Sequence, residues 1–490
     1  MAETRPDPPA LLKAISEIIG RRQAYLVGGF VRDHLLRRET CDIDIAVKGD
    51  ALGLAKKVAE NLPGRFVLLD KSRGIARVVF KRHKRPVYID FSGYTTDIEE
   101  DLGRRDFTIN AMAIHLKDFL EGNDKIIDPF HGQGELRKGY VKGVSPNIFK
   151  EDPSRLLRAI RFAFQLDYKI AVQTQRQIKQ DSILIASVPG ERVREELLHV
   201  LALQCTYTAF KYMDSLGLLG ALIPEIDAMK GVEQPRQHYW DVFNHSLETI
   251  GAIEFLLMEN DWRYNIAHLQ THSRWTEKLV RHFNKKVSSG STRKQILKLA
   301  GLIHDIAKPA TKTVEENGKV RFRDHPRLGA GVAVGILKRL RFSNKEISLA
   351  GMLVQQHLRP FQMAHATLPT SRAIYRFFRD TQGAGIDVLF IALADHLAAR
   401  GGNIDEEGWE AANRMFEHIY SEHRRQQRFK RRHKLIDGHD LMHIYELAQG
   451  PLIGRLLSEI DEAQAMGKIH TKAEAVEFAA RKLKSIRLIV

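Results

Sequence analysis

The spacing of apolar residues changes character along the chain. "PALLKAISEIIG" carries apolar residues at helical intervals, and "AYLVGG" then reads as a short strand running into a turn and a short helix. "CDIDIAV", "RFVLLD", "IARVVF" and "PVYIDFSG" follow as short β-rich segments separated by turn residues. This pattern predicts a mixed α and β unit ending near Gly139. Beyond about Glu151 the β signals fade. "SRLLRAIRFAFQLDY" and "RVREELLHVLAL" have helical periodicity, and helices are expected from there to the end. "SSGSTR" at 288–293 reads as an exposed loop. Ser421–Lys434, "SEHRRQQRFKRRHK", is a basic run ahead of a compact helical tail beginning at Leu435. No repeat of fixed period and no low-complexity tract interrupts the pattern.

Within "CDIDIAV", Ile43 and Ile45 alternate with Asp42 and Asp44. One face of that strand is therefore buried, and the two carboxylates share the other, about 6–7 Å apart along the chain. Carboxylates so placed repel unless a cation lies between them, and together they can hold two Mg²⁺ for in-line phosphoryl transfer. Just upstream, "VGGFVRD" places Gly28 and Gly29 where a strand ends and a helix begins. Glycines there let the backbone approach a phosphate, and Arg32 adds positive charge.

At 490 residues the chain is too long for one core, and several domains are expected. A hydrophobic fraction of 43% and a charged fraction of 28% are those of a soluble globular protein. The net charge of +16 points to an anionic partner such as nucleic acid. Cys41 and Cys205 are the only cysteines, which excludes a disulfide framework and suits a reducing compartment. Neither a signal peptide nor an apolar run of membrane-spanning length is recognisable, so a cytoplasmic protein without a membrane partner is expected.

"GGFVRD" followed by "DIDIAV" resembles the opening motif of the class II tRNA nucleotidyltransferase and poly(A) polymerase family, of the bacterial CCA-adding type. Four later stretches resemble that family in order: "EEDLGRRDFTINAMAI", "DPFHGQGELRKGYVK", "EDPSRLLRAIRFAFQL" and "GERVREELLHVL". The resemblance implies an α+β fold: a polymerase-beta-like head with a small mixed sheet, followed by all-α neck, HD and tail domains. It implies a catalytic head over 1–140, a base- and tRNA-binding neck over 141–230, an HD-type domain over 231–420 and a tRNA-binding tail over 421–490. Asp42 and Asp44 would bind Mg²⁺, with Gly28, Gly29 and Arg32 near the triphosphate. Arg105, Asp106 and Asn110 fall in the ribose-reading segment, where Asp106 suits a ribose hydroxyl and equally an N-cap. Asp152 and Arg155, three apart, would share a helix face and read the edges of C and A; an N-cap at Asp152 with Pro153 behind it is the plainer alternative. Arg158 and Arg161 continue a basic face. Asp90 is either a third carboxylate or a structural one, the latter favoured.

From Glu233 onward histidines recur. His238 and His245 precede the doublet His304-Asp305, and His325, His357 and Asp395 follow. This order resembles the HD phosphohydrolases, implying His245, His304, Asp305 and Asp395 as ligands of a divalent transition metal or Mg²⁺. Helical neighbours point about 100° apart, so the doublet would straddle the metal. Lys308 would contact phosphate, and His325 and His357 would serve a second metal or the substrate. In this family such a unit implies phosphodiesterase or phosphatase action on RNA 2′,3′-ends.

The resemblance therefore predicts addition of C and/or A to tRNA 3′ ends from CTP and ATP, without a nucleic-acid template. Only "YTTDI" joins "YIDFSG" to "EEDLGRRD", where the family usually has a flexible loop bearing on the switch from C to A. A CC-adding or A-adding enzyme working with a complementary partner enzyme is thus as open as a complete CCA-adding one. The alternatives are a poly(A) polymerase, and an HD phosphohydrolase with a regulatory nucleotide-binding head.

Overall fold

A computed structural model describes residues 8–81, 86–235, 238–259, 261, 264, 277–364, 367–430 and 435–487. The last four residues of the basic run, 431–434, lie outside these. The chain divides into two compact units, residues 1–188 with 213–222, and residues 189–212 with 223–490.

The first unit is built on a seven-stranded sheet: β1 (Ala24–Val27), β2 (Asp42–Lys48), β3 (Gly64–Asp70), β4 (Ile75–Phe80), β5 (Val87–Tyr94), β6 (Ala113–His115) and β7 (Ile126–Ile127), in the order β3-β4-β5-β2-β1-β6-β7. β2 and β5 run parallel and the other neighbours antiparallel, giving the mixed sheet expected. Alternation in β2 sends Ile43, Ile45 and Val47 into one core with Leu12 and Ile15 of helix Pro8–Ile19 and Leu54 and Val58 of helix Ala51–Asn61. On the opposite face, Ala46 joins Val27, Ile98 and Leu102 in a second, smaller core. Asp42 and Asp44 occupy the part of that face which the smaller core leaves uncovered.

The second unit is helical. Helix Val242–Leu256 packs between helices Arg293–Ile303 and Gly385–Arg400, and helix Asn344–Gln356 lies against Arg293–Ile303. Gly301 makes the first of these contacts possible: a Cβ there would come within 2.7 Å of Ile253 Cδ1. The stretch read as an exposed loop is instead a short hairpin, with Lys286–Ser288 paired to Ser291–Thr292. Ser291 is buried, and Thr292 and Gln295 form a capping box that starts the next helix. The tail helices Gly438–Tyr445, Pro451–Ala465 and Lys472–Arg487 share a core of Leu441, Leu456, Ile460 and Ala479. No single helix among the described residues is long and apolar enough to cross a membrane.

Candidate functional site

In the first unit, chemistry collects at the C-terminal end of β1 and the start of β2. Val27 pairs with Asp44, and Asp44 lies opposite Asp90 in the parallel β2–β5 register. Gly28 has φ +67, and a Cβ on it would sit 2.7 Å from Asp44 Oδ2 and 2.9 Å from an Arg105 nitrogen. Only glycine meets both conditions. Burial raises the carboxyl of Asp44 above its usual range, Arg105 works against this, and Asp90 and Asp42 add to it. The Gly29 amide, turned towards Asp44, eases that rise. Asp42 is raised too, by burial first, with Arg77 opposing and Asp90 adding. Two acidic groups disfavoured as anions, two residues apart on one strand, form a site that gains from a bound cation. Asp90 itself is gripped by Arg77 of β4 at 2.7 and 2.8 Å, an explicit structural partner.

Beside the carboxylates, Arg32 is buried and donates to Asn110 Oδ1 at 2.8 Å and to both oxygens of Asp33 at 2.9 Å. Asn110 donates onward to Asp106 Oδ1, which also receives the Phe107 amide, while Arg158 donates twice to Asp106 Oδ2. Four donors fill the lone pairs of Asp106. Burial opposes its ionisation, yet Arg158 and Asn110 prevail and hold it down at about 2. Asp106 is not the N-cap; Phe107 precedes the turn Thr108–Asn110. Arg32, Arg158 and Arg161 all lie over the ring of Phe162, at 5.2, 5.4 and 4.6 Å. Phe162 was invisible as a site residue because in "RAIRFAF" it reads as one more apolar helix position.

The Asp152–Arg155 pair needs correction. The helix runs Arg155–Leu166 with Ser154 as N-cap, and Asp152 lies outside it in an extended conformation, φ −149. A residue before proline is driven out of the helical region, so the pair shares no helix face and Asp152 is no N-cap. Asp152 Oδ1 instead accepts from Ser154 Oγ at 2.7 Å. Arg155 donates to the carbonyls of Arg104 and Ile148 and to Glu151.

In the second unit, five elements converge. His245 comes from helix Val242–Leu256, Asp395 from helix Gly385–Arg400, and His325 opens helix His325–Arg339. His304 and His357 are the C-caps of helices Arg293–Ile303 and Asn344–Gln356. The doublet thus sits in the turn after a helix, not on it, which frees Asp305 to point where His304 points. His245 Nε2 lies 2.9 Å from Asp395 Oδ1 and 3.5 Å from Asp305 Oδ2, and His304 Nε2 lies 3.2 Å from Asp305 Oδ2. Asp305 Oδ1 faces His325 Nε2 at 3.3 Å and His357 Nε2 at 3.8 Å. Lys308 Nζ sits 2.6 Å from Asp305 Oδ2 and donates to Gln234.

The rings of His304, His325 and His357 each place Nδ1 against the carbonyl three residues earlier, at 2.7–2.9 Å. Donation there turns Nε2 inward, the second-sphere arrangement of metal-bound imidazoles. Those three Nε2 atoms and both Asp305 oxygens are buried and make no well-formed hydrogen bond. Burial opposes a charged His304, but Asp305 and Asp395 outweigh it and raise the ring to about 10, so the pocket draws positive charge to that point. His357 is pushed down to about 4 by burial and by His304, leaving it neutral and able to ligate. Two overlapping groups, His245–His304–Asp395 and His304–Asp305–His357, could each hold a divalent ion.

Known families match three stretches of the chain. The Poly A polymerase head domain family matches residues 24–142, the family described as Probable RNA and SrmB- binding site of polymerase A matches 167–230, and the HD domain family matches 269–400. An A-adding tRNA nucleotidyltransferase of Deinococcus radiodurans is 30% identical over 94% of this chain and 95% of its own length. The chain belongs to the tRNA nucleotidyltransferase family. A CC-adding tRNA nucleotidyltransferase of Thermus thermophilus is 29% identical over 93% of both proteins. The Thermotoga maritima CCA-adding enzyme complexed with tRNA shares the fold, with a TM-score of 0.61 at 23% identity over 98% of this chain and 97% of its own. His245 precedes the residues matched to the HD family, and the geometry alone brings it to the doublet. The matched families are metal-dependent, and the histidine–aspartate cluster carries donor groups that could hold a metal.

The Asp106 network permits a direct test. Its folded-state carboxyl lies below the ordinary unfolded value near 3.9, so the stabilisation is present above that pH and disappears as pH falls towards 2. Asp106→Asn is expected to lower the unfolding free energy by about 2 kcal/mol at pH 7, with the gap closing between about pH 4 and pH 2. Urea unfolding of both proteins across that range measures it. A gap that stays constant with pH would show that the ion pair is not its source.

Proposed function

We infer that this protein adds C and/or A to the 3′ end of tRNA from CTP and ATP without a nucleic-acid template. The observation that carries this reading is the Asp42–Asp44 pair on one strand face, with Gly29 between Asp44 and the Arg32 that opens the Arg32–Asn110–Asp106–Arg158 network. Asp42 and Asp44 would hold Mg²⁺, which supplies charge neutralisation at the transferring phosphorus and activation of the attacking hydroxyl. Arg32, Arg158 and Arg161, gathered over Phe162, suit a triphosphate, and Gly28 and Gly29 keep the backbone close to it. Arg105 and Asn110 position the carboxylates and Arg32. Asp106 chiefly orients Arg158, and a ribose hydroxyl reaches it only by displacing Asn110. Asp152 and Arg155 remain the candidates for reading the base, now from a turn and a helix start. Asp90, held by Arg77, serves structure.

The second site reads as a metal-dependent phosphohydrolase. His245, His304, Asp305 and Asp395 would hold a divalent transition metal or Mg²⁺, with His325 and His357 completing a second position and Lys308 facing substrate phosphate. A 2′,3′-cyclic phosphate or 2′-phosphate at an RNA end blocks the hydroxyl that the first site needs, so the two activities suit one chain. The basic run from Ser421, at the end of helix Glu406–Lys430, and the tail would contact tRNA, and the compartment would be the cytoplasm.

The nucleotide product is read from one connection. β5 ends at Tyr94 and the next helix begins at Ile98, with Asp97 capping it through the Glu100 amide. Three residues joined so tightly leave no flexible loop, which supports a partial product, CC or A, completed by a partner enzyme. Purified protein would be given tRNAs ending before CCA, in C and in CC, with CTP, ATP or both. A stop at CC, or extension of the CC-ended tRNA alone, is the expected result. Growth of all three to CCA would overturn the partial-product reading, and long A tails would indicate a poly(A) polymerase.

A further inference from the structure

The loop ahead of helix Val242–Leu256 carries an aromatic pair that neither proposed reaction uses. Tyr239 is 61% exposed and lies edge-on to Trp240, with ring centroids 4.7 Å apart. Both rest on Gly401, just past the helix that bears Asp395: a Cβ there would come within 3.2 Å of the Tyr239 ring and 3.3 Å of Trp240 Nε1. The Tyr239 amide donates to Ala399 O at 2.8 Å, which ties the loop to that helix. From the other side, Gln234 donates to Trp240 O at 3.1 Å and accepts from Lys308 Nζ at 2.7 Å. His238, the residue before Tyr239, has its ring 5.1 Å from that of His245, and its Nδ1 is buried without a hydrogen-bond partner. Trp240 Nε1 is likewise buried and unpartnered.

An exposed ring fixed from two directions contributes little to a core. It does provide a flat face on a loop that Gln234 ties to Lys308 and that carries His238 beside His245. Nucleobases stack on such faces regardless of sequence, and the net charge of +16 favours polyanions that carry bases. We propose that Tyr239, backed by Trp240, is the nucleobase subsite of the histidine–aspartate site, whose ligands are therefore nucleoside phosphoesters. The base stacks on Tyr239 while the phosphate lies toward Lys308. This rests on the hydrolase reading above and adds which part of the substrate the protein recognises.

The test uses the full-length protein with Mn²⁺. Turnover of 2′,3′-cyclic AMP is compared with that of glycerol 1,2-cyclic phosphate for wild type, Tyr239→Ala and Tyr239→Phe. Binding of the slow-reacting adenosine 2′-phosphorothioate is measured by equilibrium dialysis. Tyr239→Ala is expected to lower the ratio of the two kcat/KM values about tenfold, through KM, and to weaken phosphorothioate binding by a similar factor. Tyr239→Phe, which keeps the ring, restores both. Equal losses on the two substrates, or unaltered phosphorothioate binding by the alanine variant, would overturn the proposal. Should wild type turn over neither substrate, the hydrolase reading fails separately. Dialysis then still decides the subsite: Tyr239-dependent binding upholds it, and binding indifferent to Tyr239, or none, overturns it.

Discussion

Asp44→Asn is expected to cut nucleotide incorporation by about 10³-fold or more, the order lost when charge stabilisation at a transferring group is removed. The same substitution should leave the fold as stable as wild type or slightly more stable. Asp44 is held between β1 and β5, opposite Asp90, with Asp42 on the same strand face. Its carboxyl is raised by burial and by those two neighbours, with Arg105 only partly compensating. A raised carboxyl means the folded chain favours the neutral form more than the unfolded chain does, so neutralising the residue relieves strain. An asparagine of the same shape still accepts the Gly29 amide. Single-turnover incorporation and a melting curve, measured together, separate the two roles. Lost activity with retained melting marks a cation ligand. Lost activity with a collapsed melting temperature would make Asp44 structural, and incorporation surviving within tenfold would remove it from the chemistry.

Local patterns in the sequence carried much of this arrangement. The alternation in "CDIDIAV" was enough to put two aspartates on one strand face, because a period of two leaves no other choice once the isoleucines are buried. The strand–glycine–helix passage at Gly28 was legible for the same local reason, since its positive φ needs no distant partner. Pairings between distant segments were not legible. Arg77 meets Asp90 only through the β4–β5 register, and Phe162 becomes a platform only when helix Arg155–Leu166 lies beside Arg32. Asp106 looked like a free acceptor, and its saturation by four donors depends on Arg158, 52 positions away. The misplaced helix start at Asp152 is a different failure. Pro153 suits the first position of a helix, but its equally general effect on the preceding residue decides the backbone and puts Asp152 outside. In the second site the residue types were readable, but the inward-facing Nε2 atoms depend on carbonyls at two helix ends and, for His325, at the end of strand Val320–Phe322.

The largest effect expected at the second site follows from the central place of Asp305. Its Oδ2 faces His245, His304 and Lys308, while its Oδ1 faces His325 and His357. Asp305 is a member of one candidate ligand group, and its Oδ2 faces His245 and His304 of the other, so Asp305→Asn should weaken both at once. Hydrolysis of a 2′,3′-cyclic phosphate is expected to fall about 10³-fold or more, with bound metal lost in proportion. His357→Ala touches only one group and should retain part of the metal. Burial opposes ionisation of Asp305, but His304 and Lys308 hold its carboxyl well below the usual range. A depressed carboxyl contributes stability above its unfolded value, so the metal-free variant should also melt lower than metal-free wild type. Loss of hydrolysis alone could then be blamed on unfolding, and the first site supplies the control. If Asp305→Asn still incorporates CTP or ATP at the wild-type rate while Asp44→Asn still hydrolyses the cyclic phosphate, each loss belongs to its own site. A variant at either site that abolished both activities would mean the chain has one chemistry and that the second cluster supports the fold.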